Sequence, residues 1–200
     1  MTSLRHNPEV ETRPRDAYLD AARACILDVG WRRTTLTEVA RRAGVSRMTI
    51  YRTWSDMPQL LADLMTREWA TVVDEVREST GRTDDAVALL REGVVRLVQA
   101  LRTNELFTRI IELDPELILP YLLERRGRSQ EAVLAILVGI IGKGQRSGTI
   151  RGRDPHALAR TIVLAAHGFV LSAQTMADDR VGLAELDAEL AVLVERVVAP

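Results

Sequence analysis

Lysine is almost missing from this 200-residue chain: Lys143 stands alone against 26 arginines. Any work for a cation therefore falls to the guanidinium group, which stays charged and donates in a planar fork. Cysteine is nearly absent too. With only Cys25, an intramolecular disulfide is excluded and a reducing cytoplasm is the expected compartment. Aromatic residues make up 4%, with two Phe, and β-branched-plus-aromatic strand patterns do not appear. The longest apolar run, Val133 to Ile141, falls well short of the roughly 20 residues that cross a bilayer, so no membrane partner is expected. The first 15 residues lack the apolar core of a signal peptide. Three histidines, His6, His156 and His167, have no ligand spacing with Cys25 or a carboxylate, so no metal is expected. No nucleophile motif stands out, and neither a catalytic set nor a cofactor is expected.

What is present is helical. Hydrophobic content is 46% and charged content 28%, the balance of a globular chain large enough for a sizeable core. Leu, Ala, Val, Arg and Glu dominate, which favours helix over sheet. The expected fold class is all-α. Net charge is −1, but it is unevenly spread. Between Trp31 and Ser55 lie Arg32, Arg33, Arg41, Arg42, Arg47 and Arg52 against Glu38 alone, six minus one, a local +5. The remaining residues then carry −6. One basic docking face on an acidic body is implied.

That window contains the most informative stretch, Thr35 to Trp54 (TLTEVARRAGVSRMTIYRTW). Thr35 and Glu38 have capping-box spacing and open a short helix. Ala43-Gly44-Val45 is a tight turn, because Gly44 can take the positive φ a sharp corner needs. Ser46 then caps a second short helix. Its inward residues are Val45, Ile50 and Trp54; Arg47, Met48, Thr49, Tyr51 and Arg52 form the opposite face. Two short helices joined this way read as a helix-turn-helix that enters the DNA major groove.

Around it the periodicity predicts further helices. Residues 1 to 15 are expected to be a disordered tail whose Arg5, Arg13 and Arg15 could reach a minor groove. From Asp16 a helix carries Tyr18, Ala22, Cys25, Ile26 and Val29 on one stripe and ends at Gly30. Cys25 on that stripe reads as a small core residue. Asp56, Pro58 and Gln59 start a long helix. Others span 84 to 102, a short stretch from Asn104 interrupted by Pro115, and an almost wholly apolar helix over 129 to 143. The run GKGQRSG (142 to 148) lacks phosphate-loop spacing and reads as a helix end. Asp154-Pro155 starts another long helix, and the last begins near Leu183. There Leu183, Leu186, Leu190, Leu193 and Val197 repeat at 3, 4, 3 and 4, the spacing of a helix-pairing seam, and are expected to form a dimer interface. The expected domains are a helix-turn-helix domain over 16 to 60 and a helical effector-binding and dimerisation domain over 61 to 200.

The segment from Asp16 to Trp69 also resembles the N-terminal domain of TetR-type transcriptional regulators. The resemblance is carried by AYLDAA (17 to 22), Gly30-Trp31, TTLTEVARRAGVS (34 to 46), TIYR (49 to 52), Trp54 and Leu60-Leu61. It implies a homodimer that binds a double-stranded operator through its N-terminal domain and a small-molecule effector through the rest. It implies that Thr35 contacts phosphate, that Arg47, Met48, Thr49 and Tyr51 approach bases or phosphates, and that Arg52 and Thr53 flank the backbone. Arg47 can fork onto guanine or phosphate, and Tyr51 can donate its hydroxyl to phosphate. Two positions depart from the family pattern: Met48 stands where Gly is frequent, and Met57 where a lysine often meets phosphate. Trp69, Phe107, Tyr121 and His167 are the candidates to line an effector pocket. The leading expectation is a repressor released from DNA by a small apolar ligand. A regulator without an effector, an activator, or an all-helical enzyme or carrier are the alternatives.

Overall fold

A computed structural model describes residues 8–80 and 83–200, with side chains from Pro14 onward. Among the described residues there is no strand. The helices are α1 (Pro8–Val29), α2 (Leu36–Arg42), α3 (Arg47–Thr53), α4 (Met57–Thr80), α5 (Ala86–Thr103), α6 (Glu105–Leu113), α7 (Leu119–Leu123), α8 (Arg128–Arg146), α9 (Pro155–Met176) and α10 (Leu183–Val198). A 3-10 turn, Pro115–Leu117, precedes α7. The chain forms two compact units, one of residues 1–68 with 105–123, the other of 69–104 with 124–200. The expected division after residue 60 is therefore drawn differently by packing. α4 contributes to both units, and 105–123 belong with the N-terminal helices.

The first unit packs α1, α2, α3, the start of α4 and α6 around Ile26, Val39, Ile50, Trp54, Leu60, Leu64 and Leu106, all fully buried. α1 starts at Pro8 rather than Asp16, so residues 8 to 15 are helical; residues 1 to 7, Arg5 included, lie outside the described residues. Its inward stripe includes Leu19, whereas Val29 is 40% exposed at the helix end. Trp54 anchors the unit. Its ring packs edge-on against Tyr18, centroids 6.4 Å apart, and its indole N–H donates to Asp63 Oδ2 at 2.8 Å. Burying a ring of roughly 200 Å² contributes on the order of 5 kcal/mol of transfer free energy. Cys25 is buried, and desolvation raises its thiol pKa, as a core residue's would be.

The second unit packs α5 against α8, α9 and α10. Its core holds Leu90, Val98, Ile141, Ile162, Leu190, Val194 and Val198. The glycine-rich run closes α8 as expected, but it also has a packing role. Gly144 is buried, and a Cβ there would sit 2.5 Å from Ile150 Cδ1. α10 faces inward through Asp187, Leu190, Val194 and Val198. Asp187 accepts from Arg102 Nη2 at 2.7 and 2.6 Å and from Gln99 Nε2 at 2.9 Å, pinning α10 to α5 through a carboxylate only 6% exposed.

Candidate nucleic-acid interface and internal cavity

Thr35 caps α2 by accepting from Glu38 N–H at 3.2 Å. The reciprocal half of the expected capping box is absent, because Glu38 turns to Arg41 at 2.6 and 2.8 Å. A doubly hydrogen-bonded guanidinium outcompetes one amide, and it holds the Glu38 carboxyl below its ordinary pKa. Gly44 takes φ +67 in the turn. Ser46 caps α3 through Thr49 N–H at 3.2 Å. Ile50 is buried beneath, and the outer face of this seven-residue helix is left clear. Such a helix is marginal alone; the buried Ile50 and Trp54 hold it.

The outer face is open where recognition needs it. Arg47 and Arg52 are exposed, Met48 is 76% exposed and Tyr51 50%. The basic window divides cleanly. Arg32 pairs with Glu116 at 2.6 Å, Arg41 with Glu38 at 2.6 Å, and Arg42 with Asp28 at 2.6 Å. Arg33, Arg47 and Arg52 make no ion pair or hydrogen bond among the described residues, so they are the cations free for phosphate or a base edge. Arg33 lies in the loop before α2, outside any helical register, where periodicity does not single it out. Thr49 and Thr53 are more internal than expected. The Thr49 hydroxyl lies 2.9 Å from Ser46 Oγ, and Thr53 donates to the Thr49 carbonyl at 3.1 Å. Arg15 is engaged by Asp63 and sits over the Trp54 ring, 5.7 Å from its centroid, so it is not a free arm. The start of α4 is occupied as well, because Asp56 Oδ1 accepts from Gln59 N–H at 2.8 Å. A carboxylate there repels phosphate, and Met57 adds no cation.

The second unit contains a cavity of about 860 Å³ bounded by α4, α5, α8 and α9. α5 provides Leu89, Leu90, Gly93, Val94 and Leu97, and α8 provides Val133, Ile136, Leu137 and Ile140. Ile162, Val163 and Ala166 come from α9. The last turns of α4 bring Val73 and Val76 together with Asp74, Arg77, Glu78 and Thr80, the polar lining among the described residues.

A bacterial regulatory protein model, the tetR family, matches residues 19–64. An uncharacterised HTH-type transcriptional regulator of Mycobacterium tuberculosis is 37% identical over 155 residues, 78% of this chain and 79% of the relative. The chain belongs to the TetR family. It is a helix-turn-helix transcriptional regulator, not an enzyme. The HTH-type transcriptional repressor BepR of Brucella suis is 27% identical over 166 residues, 79% of this chain and 78% of that one. Among solved structures, FadR of Bacillus subtilis in complex with stearoyl-CoA shares the fold at TM-score 0.67 and 19% identity, covering 92% of this chain and 98% of that one.

In this TetR-family regulator none of the four pocket candidates is among the residues that line this cavity. Phe107 is 8% exposed in the first unit's α6, and Tyr121 is 38% exposed on α7. Trp69 lies one helical turn before the cavity-lining Val73. His167 follows the lining Ala166 but points to Gln130, whose Nε2 lies 3.4 Å from His167 Nε2. Gln130 Oε1 accepts from Gly127 N–H at 2.8 Å, so its amide nitrogen donates to a neutral ring, and burial lowers the His167 pKa accordingly. Helical periodicity identified apolar faces but could not say which faces enclose space.

One residue of the α10 seam needs a correction. Leu190 is fully buried within its own unit, so it has no surface left for a partner. Leu183, Leu186 and Val197 are half-buried and Leu193 is 37% exposed. The inward stripe shares Leu190 with the leucine seam but otherwise runs one residue later, through Asp187, Val194 and Val198, and Asp187 is a charged residue invisible to an apolar count. The 3, 4, 3, 4 spacing recurs on the exposed face of α9 at Thr161, Leu164, Gly168, Leu171 and Thr175, where Leu164 is 71% exposed. α9 has a mean hydropathy of 1.3 over an 18-residue window, so by length and composition it could also cross a membrane.

Proposed function

We propose that this regulator is a repressor that binds its operator as a homodimer and leaves it when a small apolar effector enters the cavity. The observation that carries the reading is the aliphatic-walled cavity of about 860 Å³ in a chain whose other unit presents an uncovered recognition helix. A space of that size falls within the usual range for ligand sites. The curated BepR relative is a repressor, and the FadR neighbour was solved with stearoyl-CoA. Acting on DNA, it would work in the cytoplasm.

Arg47 and Tyr51 are the principal contacts, with Arg33 and Arg52 on the backbone; Met48 offers an apolar tip to a thymine methyl. The exposed heptad face of α9, with the exposed Leu193 and Val192 of α10, is the dimer surface. A second copy, rather than a lipid bilayer, covers α9. Dimerisation sets two recognition helices about 34–36 Å apart for successive major grooves. α4 is one continuous helix, so an effector that displaces its C-terminal turns disturbs that spacing. The effector must prefer the non-binding conformation, since equal affinity for both shifts nothing.

An operator selected in vitro from random duplexes, followed by gel shift with and without cavity ligands, tests this. Salt-sensitive binding that a ligand abolishes is the expected result. Binding that no cavity ligand alters would leave an effector-independent regulator or an activator, and no specific binding at all would sink the recognition-helix assignment.

A further inference from the structure

The chemistry of the cavity wall narrows what the effector can be. Its lining is Val, Leu, Ile, Ala and Gly apart from the end formed by α4, and no aromatic ring faces it among the described residues. Such walls provide neither ring stacking nor a cation–π cage. They reward apolar area without direction, which suits a flexible saturated body.

The α4 end sets the head group. Among the described residues, Asp74 and Glu78 bring two carboxylates to this end against one guanidinium, that of Arg77, 3.8 Å from Asp74. Thr80 directs its own proton to the Val76 carbonyl at 2.6 Å, so it offers lone pairs only. The polar atoms at this end are therefore mainly acceptors. A head that donates hydrogen bonds finds acceptors there, whereas an anionic head meets two carboxylates for every guanidinium described.

Gly93 of α5 lies on the wall between these regions. A Cβ built there meets nothing within 4 Å, so the missing side chain is open cavity rather than close packing. In a helix interior Gly is intrinsically unfavourable, and no backbone contact in the structure requires it here. We propose that the cavity binds an amphiphile with a saturated aliphatic body and a hydrogen-bond-donating, non-anionic head, an alkyl alcohol or alkyl amine, and that Gly93 provides the room for its body. The inference rests on reading this cavity as the effector site.

Titration calorimetry with straight-chain alkanols, alkylamines and alkanoates of about six to ten carbons tests it on the full-length protein. Affinity of the alcohols and amines should rise about fourfold per methylene until the cavity fills. Alkanoates of equal length should bind about tenfold weaker or worse. Gly93→Leu should weaken alkylamine binding about tenfold or more, with Gly93→Ala intermediate, while operator affinity without ligand and the melting temperature are not reduced. Alkanoates binding as well as amines, affinity indifferent to chain length, a Gly93→Leu protein that binds normally, or no binding by any of the three series would each overturn the assignment. Binding that follows the expected series without releasing operator DNA would leave the cavity chemistry intact and overturn the effector-released repressor instead.

Discussion

Replacing Asp114 by Ala should loosen the corner that presents α2 to DNA. Asp114 ends α6 and is 2% exposed. One carboxylate oxygen accepts from the Trp31 backbone N–H at 2.9 Å, and the other lies 3.4 Å from Arg32 Nε. The corner it holds is tightly built. Gly30 takes φ +82 with no room to spare, since a Cβ there would approach Leu113 Cδ1 at 3.2 Å. Thr34 returns its hydroxyl to the Gly30 carbonyl at 2.8 Å, and Thr35 follows immediately as the cap of α2. Removing the carboxylate deletes one charge-assisted hydrogen bond, about 1.5–3 kcal/mol, and strands a part-buried amide donor. The Arg32 contact adds little, because that side chain is 71% exposed and water screens the pair. The expected loss is about 2–3 kcal/mol, or roughly 4–12 °C in melting temperature for a chain of this size. Asp114→Asn keeps a carbonyl acceptor for Trp31 and should lose about half as much. Calorimetric melting of the two variants, with operator affinity measured below the transition, checks both levels. An Asp114→Ala protein that melts within a degree of wild type would refute the corner argument. So would an Asn variant as damaged as Ala, because the carboxylate's charge or strain rather than hydrogen bonding would then be at work.

Other outcomes are expected elsewhere. Arg47→Ala should cut operator affinity by about 1–3 kcal/mol and relax base preference at one position if it forks onto guanine; gel shifts on single-base operator variants read this. Arg33→Ala should weaken all sequences alike and reduce the slope of log K against log salt by about 0.9. Leu164→Glu, on the exposed heptad of α9, should yield a folded monomer in light scattering with operator binding lost; an intact dimer would put the interface elsewhere. Gly144→Ala should destabilise by about 1–3 kcal/mol, because its Cβ would overpack Ile150, as thermal melts will show. His167 has a depressed pKa, so the unfolded chain takes up its proton first. Its contribution is present above the ordinary histidine pKa and lost as pH falls below it. The wild-type melting temperature should therefore drop more between pH 7.5 and 5 than that of His167→Gln.

The sequence was most legible where one physical rule decided the outcome alone. Thr35, Gly44 and Ser46 each have a single job at a helix end, and the structure places all three in it. Ile50 and Trp54 had nowhere to go but inward once Ser46 started the helix, so Met48 and Tyr51 had to face out. Legibility failed where two faces of one helix competed. On α10 the leucine spacing was real, but packing is also satisfied by a carboxylate with the right partners, and Arg102 and Gln99 lie some 85 residues upstream of Asp187. On α9 the exposed heptad was hidden because Thr161, Gly168 and Thr175 do not count as apolar, although small residues let two helices approach closely. The cavity was the least legible feature of all. An aromatic is conspicuous in a chain with so few, which drew attention to Trp69, Phe107 and Tyr121; yet a void is defined by the side chains that fail to meet. Gly93 marks this one by an absence, and a missing side chain becomes visible only when the helices around it are in place.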